Sequence, residues 1–317
     1  MYKTIFLSFL LVFLSLSALA TDSLPSVSKG KIERISDINS PLIAPRFIDV
    51  WLPPGYSQDN KYDVLYMHDG RMLFDASTTW NKQEWMVDEV AGRLIEQNKV
   101  RPFIVVAIPN AGANRHSEFY PQKPFESLSP KAQKSLYQLE RSPDTPIFNS
   151  KVYSDNYLQF IVTELVPYIE SHFAVNKGAE HRYLAGSSMG GLISWYGLME
   201  YPNEFAGAIC MSTHWPGTFD DKLAFETFYS YIEQHLSALS THKVYFDYGD
   251  QTLDAMYPKL QAKIDKLFQQ QKFPTKQWQS RFFPGENHSE SSWSKRLNIP
   301  FEFMFAKNHK KQAVLYQ

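Results

Sequence analysis

Gly186-Ser187-Ser188-Met189-Gly190 has G-x-S-x-G spacing, with the strand-like run Arg182–Ala185 before it and Leu192, Ile193, Tyr196 and Leu198 at helical spacing after it. Between a strand and a helix, this pattern makes a sharp turn that lifts a serine hydroxyl clear of a sheet. The flanking glycines remove side chains that would collide with the neighbouring strand and helix, and the helix N-terminus favours developing negative charge. Ser188 is therefore expected to be the nucleophile of an acyl-transfer reaction. Ser187 is the competing serine, but the second position of the motif should point into the fold. The pentapeptide alone occurs by chance; its strand and helix context favours catalysis over a structural turn.

A nucleophilic serine of this kind needs a base and an acid, in the chain order serine, acid, histidine. Of nine histidines, only His288 and His309 follow the candidate acids, and His309 sits in the polar run Lys307-Asn308-His309-Lys310-Lys311. His288 follows the strand-like run Gln277–Phe283 and the turn Pro284-Gly285-Glu286-Asn287, which suits a general base at a strand end. The acid should follow Lys243–Tyr248, where Asp247, Asp250 and Asp254 are available. Asp247 lies inside the strand. Asp250 beside Gly249 also fits ordinary turn chemistry, and Asp254 at a helix start also fits an ordinary dipole partner. Spacing leaves Asp250 and Asp254 level.

Acyl transfer also needs two backbone N–H donors for the oxyanion. Met189, directly after the nucleophile, supplies one, and Arg71 after the sharp turn at Gly70 is expected to supply the other. Arg115, His214 and Trp215 join Gly70 as candidates for lining the substrate pocket, with Trp215 favoured over Trp85 and Trp293 because it follows a strand directly. His68-Asp69 invites a metal reading, but no further ligand stands at suitable spacing, so hydrogen-bonded structural roles, no metal and no cofactor are expected. Cys210, the single cysteine, lies in an apolar run and is expected to be an inert buried thiol.

The elements that must hold these residues alternate. Strands are expected at Arg46–Leu52, Tyr62–His68, Phe103–Pro109, Arg182–Gly186, Gly207–Ser212, Lys243–Tyr248 and Gln277–Phe283. Helices are expected at Asn81–Gln97, Asn156–His172, Met189–Tyr201, Lys222–Ser240, Ala255–Gln271 and Ser291–Phe305. Alternation of this kind implies an α/β fold: a mostly parallel central sheet with helices on both faces and its site at the carboxyl ends of the strands. Residues 122–154 break the pattern with Pro124, Pro130, Pro143 and Pro146 and a short helical stretch near Lys131–Glu140, and read equally as a surface excursion or a flap over the site.

Residues 1–20 read as a signal peptide, with Lys3, the apolar run Ile5–Leu16 and the small-residue pattern Ala18-Leu19-Ala20, leaving 21–317 as a single α/β domain. The apolar run is short for a spanning anchor. Net charge −1 and a pI near 6.8 argue against nucleic acid as the main partner. The sequon Asn287-His288-Ser289 would put a glycan on the expected base, so export to a bacterial periplasm or the medium is favoured over a eukaryotic secretory route.

Four ordered segments resemble a bacterial esterase family of the α/β-hydrolase fold that includes enterochelin esterases, S-formylglutathione hydrolase, feruloyl esterases and mycolyltransferases: Leu65–Asp75, Asn110 with Arg115–Pro121, Gly186–Gly191, and His288 with Trp293. The resemblance spans nearly all of the mature chain. It implies a serine carboxylic ester hydrolase working through an acyl-enzyme, and a segment similar to Tyr245–Gly249 followed by Thr252-Leu253-Asp254 implies Asp254 as the acid. Alternatives on the same fold are acyl transfer to a sugar or lipid hydroxyl, a siderophore esterase with Arg71, Arg115 and Arg182 as its basic pocket, and a catalytically silent binding protein. The expected partner is a small or polysaccharide-linked ester. The 122–154 segment matches no substrate-defining loop of the family, so the reaction is better defined than the substrate.

Overall fold

The computed structural model describes residues 23–218 and 225–307. The signal-peptide reading of 1–20, His309 and the start of the helix expected from Lys222 lie outside them. The strands are β1 (Lys31–Ile38), β2 (Arg46–Leu52), β3 (Asp63–His68), β4 (Phe103–Ile108), a short hairpin of β5 (Glu140–Ser142) and β6 (Thr145–Pro146), then β7 (Arg182–Ser187), β8 (Gly207–Met211), β9 (Lys243–Tyr248) and β10 (Trp278–Phe282). All but the hairpin form one eight-stranded sheet in the order β1-β2-β4-β3-β7-β8-β9-β10. β2 is antiparallel to β1 and β4, and every later neighbour pair is parallel.

The helices are α1 (Val87–Glu96), α2 (Arg115–Phe119), α3 (Gln122–Glu126), α4 (Pro130–Tyr137), α5 (Ser154–Phe160), α6 (Val166–His172), α7 (Met189–Glu200), α8 (Phe225–His235), α9 (Tyr257–Gln270), α10 (Glu290–Arg296) and α11 (Asn298–Phe305). The strand pleat assigns alternate side chains to two cores. Val64, Tyr66, Ile104, Val106, Leu184, Val244 and Phe246 join residues of α5 to α9. Leu65, Met67, Phe103, Val105, Tyr183, Ala185 and Tyr245 join α1 and α11 on the other face. Covered on both faces, the inner strands are apolar at successive positions rather than alternating. This is the α/β-hydrolase architecture expected from the sequence.

Four boundaries differ. β1 has Ile32, Ile35 and Ile38 three apart, a helix-like spacing, and its register shifts between Ile35 and Ile38; a bulged edge strand hides its period. The helix expected from Asn81 starts at Val87, because Lys82 and Met86 take left-handed φ of 56° and 54°. The helix expected over Ser291–Phe305 is two, α10 and α11, the second carrying Pro300 in its first turn, where a missing N–H costs no helical bond. Residues 122–154 hold α3, α4 and the hairpin, and their Phe125, Leu136, Ile147, Phe148 and Val152 are buried in the α7 core. The segment is anchored by apolar side chains that its polar average conceals.

Candidate active site

β7 ends at Ser187 and α7 begins at Met189, so Ser188 occupies the turn between them at φ 56°, ψ −123°. Few L-residues adopt positive φ, and a strained non-glycine residue here must be held by its surroundings. The Ser188 N–H donates to the Met211 carbonyl at 3.0 Å, while its own carbonyl accepts from Leu192 N at 3.0 Å and His214 N at 3.1 Å. A Cβ on Gly186 would stand 2.5 Å from the Gly190 carbonyl carbon, and one on Gly190 would stand 3.0 Å from Asp69 Oδ2. Gly186 is thus fixed by close backbone approach, and Gly190 by the Asp69 carboxylate packed over it.

Asp254 lies in the turn Thr252–Met256 after β9 and is fully buried. Its Oδ1 is 2.6 Å from His288 Nδ1. Its Oδ2 accepts from Ser212 Oγ and from Gly249 N, both at 2.7 Å. Ser212 Oγ in turn accepts from Trp293 Nε1 at 2.9 Å and Arg296 Nη2 at 3.0 Å, so its single hydrogen is directed at Asp254. His288 is set by its backbone N–H on Thr252 Oγ1 at 3.0 Å and by edge-on packing against Tyr257 and Trp293, with ring centroids 5.8 and 5.0 Å away. The competing aspartates are engaged elsewhere. Asp250 accepts from Gly285 N at 2.8 Å, and buried Asp247 pairs with Arg296 at 2.9 Å. Ser188 and His288 line one cleft. No hydrogen bond joins their side chains among the described residues. A long nucleophile–base distance is common before substrate binds.

The loop after β3 supplies the opposite wall. Asp69 is left-handed at φ 57°, and Met72 N bonds its carbonyl at 2.9 Å to close the turn Gly70–Met72. A Cβ at Gly70 would stand 2.6 Å from the Ala107 carbonyl carbon, so only glycine lets this turn lie against β4. The Asp69 carboxylate accepts from Asn110 Nδ2 at 2.6 Å and from Arg115 Nε and Nη2 at 2.6 and 2.7 Å. Burial works against its charge, but Arg115 and Asn110 hold the Asp69 carboxyl below its ordinary range. His68 Nδ1 meets Tyr157 Oη at 2.7 Å, and burial lowers its pKa to about 4. His68, Asp69, Asn110 and Arg115 thus brace the loop that carries Arg71, which joins the sequence segments Leu65–Asp75 and Asn110–Pro121 in one network.

The cleft above Ser188 has a volume of about 780 Å³ and is walled by Trp80, Trp85, Trp293, Arg71, Arg115 and Arg141 among others. Trp85 and Trp293 pack on each other at 5.1 Å, while Trp80 is 85% exposed. Four pocket expectations are corrected. Trp215 is fully buried, donating Nε1–H to Gln261 at 2.7 Å and packing on Phe246, because the chain turns inward after β8 at Ser212 (φ 41°). His214 follows it inward, behind the nucleophile, with Nδ1 2.8 Å from Tyr257 Oη. Gly70 lies beneath Arg71 and lines a neighbouring 270 Å³ cavity instead of the cleft. Arg182 is likewise no pocket residue, being paired with Glu170 and Glu204 at the far end of β7. Sequence reasoning missed Ser212, Tyr257, Trp80 and Arg141. Ser212 was findable, since it directly follows a strand at its carboxyl end; nothing local marks Trp80 or Arg141.

Residues 44–311 match the protein family described as "Putative esterase". A Bacillus subtilis protein, the uncharacterized YbbA, is 24% identical over 83% of this chain and 94% of its own length. Among solved structures, an IroE-like serine hydrolase from Shewanella oneidensis is 17% identical and superposes with a TM-score of 0.63 over 86% of this chain and 79% of its own. A ferulic acid esterase from Anaeromyces mucronatus is 16% identical, with a TM-score of 0.58 over 89% of this chain and 92% of its own. With its parallel sheet, its serine turn between β7 and α7 and the match over most of its length, the chain belongs to this esterase family, as a carboxylic ester hydrolase of the α/β-hydrolase fold.

Proposed function

We propose that Ser188, His288 and Asp254 are the catalytic triad and that the Met189 and Arg71 backbone N–H groups form the oxyanion hole. Ser188 Oγ attacks the ester carbonyl carbon as His288 Nε2 takes its proton. The tetrahedral oxyanion is held by the two N–H groups, and collapse expels the alcohol, which receives the proton from His288. Water then attacks the acyl-enzyme with His288 as base, and Ser188 regains its proton as the acid leaves. The observation that carries this reading is the 2.6 Å contact of His288 Nδ1 with Asp254. Asp254 Oδ2 is already occupied by Ser212 and Gly249, so its Oδ1 is committed to the histidine. A Ser188→Ala variant should lose p-nitrophenyl acetate hydrolysis and fluorophosphonate labelling; wild-type turnover by it would overturn the proposal.

For substrate, we infer an ester of an aromatic acid. The cleft has tryptophan faces for a ring and guanidinium groups for phenolate or carboxylate oxygens. The structural neighbours include a complex with ferulic acid and an enterobactin esterase from Shigella flexneri with 2,3-dihydroxy-N-benzoyl-glycine. The arginines favour the siderophore side of this pair, although Arg115 is already neutralised by Asp69. A panel of feruloyl and catecholate esters separates the two. The pattern of residues 1–20 supports export, with catalysis in the periplasm or outside the cell.

A further inference from the structure

Asp247 of β9 and Arg296, the last residue of α10, form a buried ion pair that the triad does not use. Such a pair is weak evidence for stability, because stripping two charges of water costs about as much as their attraction returns. Here part of that cost stands uncompensated: Arg296 Nη1 is buried with no hydrogen-bond partner among the described residues. The pair does have a third member. Arg296 Nη2, 2.9 Å from Asp247 Oδ1, also donates to Ser212 Oγ at 3.0 Å, and Ser212 gives its hydroxyl hydrogen to Asp254 Oδ2 at 2.7 Å.

Ser212 stands between two aspartates. Its backbone N–H faces Asp247, 2.8 Å from the carbonyl oxygen and 3.2 Å from Oδ1, while its hydroxyl serves Asp254. Which carboxylate takes the hydroxyl hydrogen is decided by what Asp247 already holds. A carboxylate offers about four lone-pair sites, and the Asp247 oxygens face four donors. Oδ1 accepts from Arg296 Nη2 and the Ser212 N–H; Oδ2 accepts from Arg296 Nε at 3.1 Å and the Tyr245 hydroxyl at 3.2 Å. Arg296 supplies two of the four. Ser212 Oγ, for its part, accepts from Arg296 Nη2 and Trp293 Nε1, two donors that α10 presents on one face three residues apart. Arg296 therefore fills Asp247 and the Ser212 oxygen at once, and Asp254 is the acceptor left for the hydrogen.

We propose that Arg296 is a positioning residue for the triad: with Asp247 as its counter-ion, it commits the Ser212 hydroxyl to Asp254 and so holds the other Asp254 oxygen on His288. The inference rests on Asp254 being the triad acid. It gives the buried ion pair a task, and it divides the work of the three aspartates after β8. Asp254 meets His288, Asp250 meets the Gly285 turn, and Asp247 holds the cation that aims Ser212.

The test is Arg296→Lys and Ser212→Ala, singly and together, in the mature protein. Lysine keeps a charge opposite Asp247 but lacks the planar fork that spans Asp247 and Ser212. Each single variant should lower kcat for p-nitrophenyl acetate about 10-fold, the scale of one hydrogen bond to a charged group, with KM held within about 2-fold. Each should also move the far-downfield ¹H resonance of the proton between His288 Nδ1 and Asp254. Because both act through one hydroxyl, the double variant should be no slower than Ser212→Ala alone. Wild-type kcat with an unmoved resonance in Arg296→Lys, or losses that multiply in the double variant, overturns the proposal, since a merely structural arginine would act independently of Ser212. If Arg296→Lys does not fold, Asp247→Asn combined with Arg296→Met removes both charges of the pair together. That variant should show the same loss and the same lack of further loss on adding Ser212→Ala; full kcat there refutes the role. Asp254→Asn separates the layers: retained turnover sinks the triad assignment, whereas a dead Asp254→Asn beside a wild-type Arg296→Lys sinks only the role of Arg296.

Discussion

Replacing Asp254 by asparagine exchanges one carboxylate oxygen for an NH₂ group with almost no change of shape. The consequence follows from the partners of the two oxygens. Oδ2 faces two donors, the Gly249 backbone N–H and a Ser212 hydroxyl, both at 2.7 Å. Ser212 cannot reverse, because its oxygen already accepts from Trp293 and Arg296. Placing the new NH₂ group on that side would set donors against donors in a fully buried site, where an unmet polar group costs about 1–3 kcal/mol each. The amide therefore turns its oxygen to Gly249 and Ser212 and its NH₂ to His288 Nδ1. That forces the His288 proton onto Nε2, the atom that must receive the Ser188 proton. The expected loss in kcat is about 10⁴-fold, or roughly 5 kcal/mol of barrier. Steady-state hydrolysis of p-nitrophenyl acetate at pH 7–8 measures it, with the thermal midpoint as a check on folding. A folded Asp254→Asn enzyme keeping a tenth of wild-type kcat would refute the tautomer argument and return Asp250 to consideration.

Two further predictions concern the cleft and the loop beneath it. Trp80→Ala should leave the thermal midpoint within about a degree, since surface changes rarely exceed about 0.5 kcal/mol. It should raise KM for methyl ferulate about 2- to 10-fold while sparing ethyl acetate; equal effects on both esters would remove Trp80 from substrate recognition. The Asp69–Arg115 pair makes a pH prediction. Asp69 is held below its ordinary range in the folded state, with Arg115 and Asn110 outweighing burial. Folding thus favours the ionised form, so its contribution is complete above the unfolded pKa near 4 and is lost as pH falls through the lower, folded value. Asp69→Asn should flatten the acid limb of the stability–pH curve, and an unchanged limb would show that the pair adds no linkage.

Much of the scaffold was legible because its signals are local. β2 and β9 have the same ends in sequence and structure, and β3, β4, β7, β8 and β10 fall within a residue of theirs, because apolar runs bounded by turn residues depend on neighbours along the chain. The serine turn is equally local: the strand, the two glycines and the helix lie within a few residues of Ser188. β1 was hidden by its bulge, and the polar average of residues 122–154 concealed five buried apolar anchors.

By itself, then, the sequence determined the strand–helix alternation and the strained turn at Ser188, both of which are set by contacts of short range. Its spacing left Asp250 and Asp254 level, with only the family resemblance pointing to Asp254, because both stand within a few residues of β9 and nothing between them says which carboxylate is buried. Tertiary structure decided that matter by packing β10 beside β9, which brings His288, 34 residues away, onto Asp254 and leaves Asp250 on the Gly285 turn. It likewise sent Trp215 into the core and set Trp80, Trp85 and Trp293 at the cleft. A tryptophan's destination depends on which face of the fold its backbone meets, and that is a property of the assembled sheet and helices.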